Sequence, residues 1–233
     1  MNMKPIVLTA TLLLVSGSIL GEPVLKIEPE VFQFGMIPRE ATVAHYFWFE
    51  SAGTDTVFID SIKTGCACAT MPIEQEHLAP GEKMRVGLFW DVGKRIGSVL
   101  SHPYIFYNGK ELPTFAGLRG QCLLHMDSLR PVTVRPHRVD FVRLPATSKS
   151  IDEIELAFLN LSDERLDLTV VANSAEELIE LRLPKSLKAG ASVTGRVIVR
   201  PEHADEPFER SFTLEFSDEN RTRLTVPVRR KVY

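Results

Sequence analysis

Cysteine is scarce in this chain: Cys66, Cys68 and Cys122 are the only three. Three is an odd number, so at least one sulfur is free, metal-bound or shared with another molecule. A surplus of one charge is also missing, since 27 Lys and Arg face 30 Asp and Glu, for a formal net charge of −3. Neither half shows the basic excess of a nucleic-acid binder, and the short run Arg229-Arg230-Lys231 reads as a solvated strand end. Beyond the N-terminus no apolar run approaches the ~20 residues a spanning helix needs, so no membrane span is expected in the mature chain. The serine nucleophile elbow, the His-Glu-x-x-His metalloprotease motif and the glycine-rich phosphate loop are all absent. The expectation is a protein that is not an enzyme and holds no cofactor, with copper(I) or zinc at the thiols as the alternative.

The sequence opens with an address. Lys4 gives a positive start, Ile6 to Leu20 carries no charge, and small residues follow at Ser16, Gly17, Ser18 and Gly21. This is the pattern of a cleaved secretory signal peptide over residues 1–21. No cysteine sits near the cleavage region to take a lipid. The mature protein is therefore expected outside the cytoplasm, in a periplasm or secreted. Its partner would be a protein or a component of the cell envelope.

The rest of the chain echoes itself. Ile27-Glu28-Pro29, Phe32 and Phe34 align with Val134-Arg135-Pro136, Val139 and Phe141. Phe49-Glu50 and Val57-Phe58-Ile59 align with Leu159-Asn160 and Leu166-Asp167-Leu168, and Leu78-Ala79-Pro80-Gly81 with Leu187-Lys188-Ala189-Gly190. A repeat of roughly 100 residues is the size of one immunoglobulin-like sandwich. Alternation supports strands: Val43, His45, Phe47 and Phe49 interleave with Thr42, Ala44, Tyr46 and Trp48, and Met84, Val86, Leu88 and Trp90 behave alike. Period-two patterns of β-branched and aromatic residues mark half-buried antiparallel strands. Asn108-Gly109 is a hairpin turn between Val99–Tyr107 and Leu112–Leu118. Helix is confined to one turn at Ser174–Leu178. The predicted fold is all-β: two tandem immunoglobulin-like β-sandwiches, residues 23–123 and 127–233, joined near 123–130.

Strand order places the sulfurs. Cys66 and Cys68 fall just past the strand that begins at Val57, and Cys122 just beyond the last strand of the first repeat, so all three approach the end facing the second repeat. On a flat strand, residues two apart have α-carbons roughly 6.6 Å apart, so a Cys66–Cys68 bridge needs a bend. Three readings stay open: a structural disulfide or plain packing, a redox-responsive thiol pair, and a soft-metal site of Cys66, Cys68, Cys122 and His125. Met71 is a further soft donor nearby, and no activating Lys or His is evident beside the thiols. His45 reads as a satisfied core histidine. The outward aromatics Tyr46, Trp48 and Phe89 are candidates for a patch that meets a partner or the second domain, with a covered sheet face as the favoured explanation.

Several of these elements occur together as a set: Pro29, Phe32-Gln33-Phe34-Gly35, His45-Tyr46-Phe47-Trp48-Phe49, Cys66-Ala67-Cys68 and Pro80-Gly81-Glu82. In this set the first domain resembles a bacterial family known as domain of unknown function 1573, an immunoglobulin-like module akin to those of Hydin and the major sperm protein. The resemblance implies an exported, non-catalytic module. The chain departs from the pattern at the motif itself. Ala67 replaces the central Gly of Cys-Gly-Cys, and Gly65 and Ala69 replace Ser and Thr, which makes a tight turn between the sulfurs harder. The second domain carries only the general strand pattern.

Overall fold

The computed structural model describes residues 21–113, 116–144 and 149–233. Residues 1–20 of the expected signal peptide lie outside the described residues. The N-terminal half comprises β1 (Leu25–Glu28), β2 (Val31–Pro38), β3 (Thr42–Ser51), β4 (Val57–Lys63), β5 (Ala69–Thr70), β6 (His77–Leu78), β7 (Lys83–Asp91), β8 (Gly97–Ser101), β9 (Tyr104–Tyr107), β10 (Lys110–Glu111) and β11 (Gly117–Leu123). The C-terminal half comprises β12 (Val132–Arg135), β13 (Val139–Leu144), β14 (Lys149–Ile151), β15 (Glu153–Asn160), β16 (Leu166–Asn173), β17 (Ile179–Arg182), β18 (Ser186–Leu187), β19 (Ser192–Val199), β20 (Phe208–Phe216) and β21 (Arg223–Val232). The fold is an all-β sandwich, as the alternating pattern predicts. Among the described residues no helix is long and apolar enough to cross a membrane.

The repeat is visible as topology. One sheet runs β1-β3-β7-β5, and its counterpart runs β12-β15-β19-β17. The aligned prolines Pro29 and Pro136 both follow cis peptide bonds. Inward residues of alternating strands fill two cores. Phe34, Phe47, Phe49, Leu88 and Trp90 lie in the first, and Phe141, Phe158, Phe212, Phe216 and Val226 in the second. Asn108 and Gly109 take positive φ between β9 and β10, the left-handed geometry a two-residue hairpin turn requires.

Two expected strands are divided differently. The run Val99–Tyr107 is two strands either side of His102-Pro103: β8 pairs with β11, while β9 pairs with β4. Proline has no N–H to give to a ladder, so the chain leaves one sheet and joins the other. The final strand of the half is Gly117–Leu123, not Leu112–Leu118, so Cys122 sits inside it, paired with Ile37 of β2 and Gly97 of β8.

The two halves share a sheet. Its nine-strand set includes the path β18-β16-β20-β21-β2-β11-β8, with the parallel step from β21 to β2 at Leu224 and Met36. A bulge in β2 makes this joint. Between Arg119 and Gly120 the register of β11 against β2 skips Phe34, and the freed Phe34 carbonyl accepts from Thr225 Oγ1 at 2.7 Å. Thr225 in turn is 2.9 Å from Thr213 Oγ1, all three groups being buried. Gly35 has φ +69°, and a Cβ there would stand 2.2 Å from the Arg223 carbonyl oxygen. Only glycine allows both that conformation and that approach.

Further contacts fasten the halves. Ser211 of β20 is buried and brackets one peptide of β3: the Ala44 N–H donates to its Oγ at 3.0 Å, and its hydroxyl donates to the Ala44 carbonyl at 3.3 Å. Ser174 Oγ donates to the Ser211 carbonyl and accepts from the Ser211 N–H, both at 2.9 Å. Buried polar groups satisfied in this way fix one relative placement. The short turn at Ser174–Leu178, where Ile179 N–H reaches the Ala175 carbonyl, presents Glu176 and Glu177 to Arg85 of β7 at 2.7 and 3.0 Å.

The basic run at the C-terminus is only partly a solvated end: Lys231 is exposed, but its neighbours are engaged. Arg230 is buried, donating to the Ala204 carbonyl and lying 2.8 Å from Asp152, and Arg229 pairs with Asp140 at 2.8 Å.

Candidate functional site

The Cys-x-Cys segment lies between β4 and β5, where the chain turns from one sheet to the other. Gly65 supplies the positive φ of the turn, +76°, and Thr64 Oγ1 donates to the Cys66 carbonyl at 3.1 Å. The Ala69 N–H returns to the same carbonyl at 3.4 Å. The α-carbons of Cys66 and Cys68 are drawn to 5.2 Å and the two sulfurs are bonded to each other. The bend a bridge needs is thus present without glycine at position 67. The left-handed residue is Gly65, one position ahead of the bridge, and Ala67 is not among the residues at positive φ.

A neighbouring hairpin holds the turn. The Asp91 N–H donates to the Cys68 carbonyl at 2.8 Å, and Ala69 pairs with Trp90 of β7. The β7–β8 connection then brings back Arg95, whose Nη2 donates to Cys68 Sγ at 3.5 Å. Arg95 Nη1 donates to the carbonyls of Val92 at 3.0 Å and Asp91 at 3.3 Å, so the guanidinium is seated by the hairpin that also grips Cys68. Arg95 lies 27 residues along the chain from Cys68, so local sequence shows no activating Lys or His beside the thiols and does not reveal this arginine; the Gly93 and Gly97 that frame its turn are the available signal. The two sulfurs differ in setting. Cys66 is exposed, whereas Cys68 is half-buried and packs against the first core.

The four-residue ligand set is not assembled. Cys122 is fully buried in β11 and outside any disulfide, while His125 lies exposed beyond the end of that strand. Burial pushes the Cys122 thiol up, partly offset by the charge of Arg95. Met71 is core. Among the described residues no group of three or more His, Cys, Asp or Glu side chains is placed to hold a metal ion.

The aromatic trio divides. Tyr46 and Phe89 meet edge to face at 6.3 Å. Arg85 lies 4.3 Å from the Tyr46 ring centroid, and Arg210 of the C-terminal half lies 4.6 Å from that of Phe89. These two rings are covered from within the molecule, because β20 packs over this face of β3. Trp48 is left 50% exposed at its margin. His45 is stacked on Phe32 at 3.8 Å and edge-on to Phe47 at 5.1 Å. The side chain is half-buried, its Nε2 has no partner among the described residues, and burial pushes its pKa down to about 4.

A groove of about 630 Å³ beside the joint is lined by Gln33, Arg119, Gln121, Glu215, Arg221 and Arg223 among others. Glu215 is buried there, and the hydrogen bonds and charges of Arg221 and Arg223 hold its carboxyl below the usual range. The Arg223 Nη1 also donates to the Gln33 carbonyl at 3.1 Å, so this cluster braces the joint. The joint was not legible in the motif Phe32-Gln33-Phe34-Gly35, whose glycine meets a residue almost the length of the chain away.

Residues 25–122 match the family model described as a protein of unknown function, DUF1573. The N-terminal half thus carries a domain of that family, as its motifs suggest. No curated protein matches the chain. A protein of unknown function from Porphyromonas gingivalis W83 is 11% identical, over 89% of this chain and 99% of that one, with a TM-score of 0.36. The ASH/PapD-like domain 7 of human CEP192 is 14% identical over 54% of this chain and 98% of that one, with a TM-score of 0.35. The VesB protease of Vibrio cholerae is 14% identical over 42% of this chain and 31% of that one, also at 0.35. Likeness this slight carries no argument about function.

Proposed function

We propose that this chain, carrying a domain of unknown function, is a non-catalytic extracytoplasmic protein whose two immunoglobulin-like domains act together as a binding or structural module. One observation carries the reading: the halves are fastened by a common sheet and by buried hydroxyl bridges at Ser211 and Thr225. Such a body presents a fixed surface to a partner instead of closing around a substrate. The signal pattern and the Cys66–Cys68 bond both favour an oxidising, exported setting. The partner would be a protein or envelope component, and Trp48 is the exposed member of the aromatic trio with which to meet it.

Fractionation of cells producing the full chain, with thiol labelling of each fraction, tests the location. The protein is expected in the extracytoplasmic fraction with Cys66 and Cys68 unlabelled. Recovery in the cytoplasm with both labelled contradicts the reading. Binding is tested by crosslinking in intact cells, purifying the partner found, and titrating it against wild type and Trp48→Ala; equal affinity for both removes Trp48 from the surface.

A second reading is favoured by the exposed bridge with a cation beside it: a redox-responsive pair at Cys66 and Cys68. Once reduced, the same pair would offer two thiolates to copper(I) or zinc.

A further inference from the structure

Resting on that second reading, we propose that the Cys66–Cys68 disulfide is a polarised exchange site for an external dithiol, with Cys66 as the sulfur attacked and Arg95 as the positioning residue that holds the departing Cys68 thiolate. Attack in thiol–disulfide exchange requires access to one sulfur and a leaving group able to carry charge. The two sulfurs divide these needs. Cys66 is exposed and open to approach, whereas Cys68 is half-buried against the core and receives a guanidinium N–H at 3.5 Å. A positive charge beside a thiolate lowers its basicity, and a less basic thiolate leaves faster. The placement is built in, because the hairpin that orients Arg95 through the Asp91 and Val92 carbonyls also holds the Cys68 carbonyl through the Asp91 N–H. Cys122 is buried and its thiol is raised by burial, so it stays protonated and does not compete.

The exchange balances in two steps. One thiol of the dithiol loses its proton to solvent and its sulfur bonds to Cys66 Sγ. The Cys66–Cys68 bond breaks, and its electron pair leaves on Cys68. The second thiol of the dithiol, also deprotonated to solvent, attacks its own partner sulfur in the mixed disulfide and releases Cys66 as a thiolate. The protein gains two electrons, and the dithiol becomes a disulfide.

The test uses the full mature chain under native conditions. Reduced dithiothreitol measures the rate of exchange. Reduced glutathione, quenched with N-ethylmaleimide and read by tandem mass spectrometry, locates the mixed disulfide. Glutathione is expected on Cys66 and maleimide on Cys68. Arg95→Gln should slow exchange about threefold to tenfold, Arg95→Lys should restore most of the rate, and high salt should slow wild type towards the Gln variant by screening. A bridge that resists native dithiothreitol defeats the redox reading itself. A bridge that is reduced, but with glutathione on Cys68 or on both sulfurs equally, or with no effect of Arg95→Gln, leaves that reading standing and overturns the inference.

Discussion

In the C-terminal half β20 runs for nine residues, pairing β16 on one side and β21 on the other. Its counterpart in the N-terminal half is cut by His102-Pro103, so that β8 stays with β11 and β9 crosses to β4. One half therefore has an intact second sheet. In the other that sheet is split, and its β8-β11-β2 fragment is completed by β21 of the neighbour. The sheet order β1-β3-β7-β5 and its copy β12-β15-β19-β17 show that the shared architecture tolerates the difference. The lesson is that the N-terminal half depends on its neighbour, and that the chemistry of the chain, its three sulfurs with Arg95, gathers on the half that is split.

That dependence can be broken most severely at Gly35. Gly35→Val adds side-chain atoms where a Cβ alone would meet the Arg223 carbonyl at 2.2 Å, at a φ of +69°. A loss of about 3–5 kcal/mol is expected, with urea unfolding resolved into two transitions as the halves uncouple. One unshifted transition would mean the joint is incidental.

Acid should act next, and on the N-terminal half. Half-buried His45 has its pKa pushed down to about 4 from an ordinary value of 6.5. As pH falls below about 6.5 the unfolded chain takes up the proton first, so stability is complete above that pH and is lost progressively down to about 4. The loss is at most about 3 kcal/mol. His45→Phe should flatten the profile, as measured by urea midpoints at pH 7 and pH 4.5; an unchanged slope would place the acid sensitivity elsewhere.

Ser211→Ala sharpens the comparison from the other side. It removes the hydroxyl bracketing the Ala44 peptide and leaves a buried N–H unpaired, for about 1–2 kcal/mol. The loss should appear as faster amide exchange in β3 and β20 together. An effect confined to β20 would show that the bracket does not join the halves. The smallest effect is expected at Arg221→Ala, because this arginine is 78% exposed and Glu215 keeps Arg223. Its cost should stay below about 1 kcal/mol by thermal melting, and a larger one would promote Arg221 to a main brace of the joint.

The all-β class and the repeat were legible because alternation and turn residues are local: His45 to Phe49, Met84 to Trp90, Asn108-Gly109. What is contributed by distant chain was not. Pro103 was visible, but that it sends β9 to another sheet depends on β4 and β11. Gly35 was seen only as part of a motif, while the reason for it is Arg223. The bridge between Cys66 and Cys68 needed a bend whose glycine lies outside the pair, at Gly65. Tyr46 and Phe89 read as outward aromatics for a partner or the second domain to cover, but which strand covers them, beginning at Phe208, is not local information, and Arg229 and Arg230 read as a free basic end because Asp140 and Asp152 are far upstream.

That the two halves form one body is tested most directly by differential scanning calorimetry of residues 21–233. A single transition, with calorimetric and van't Hoff enthalpies equal, is the predicted result. Two separable transitions in the wild-type protein would contradict it.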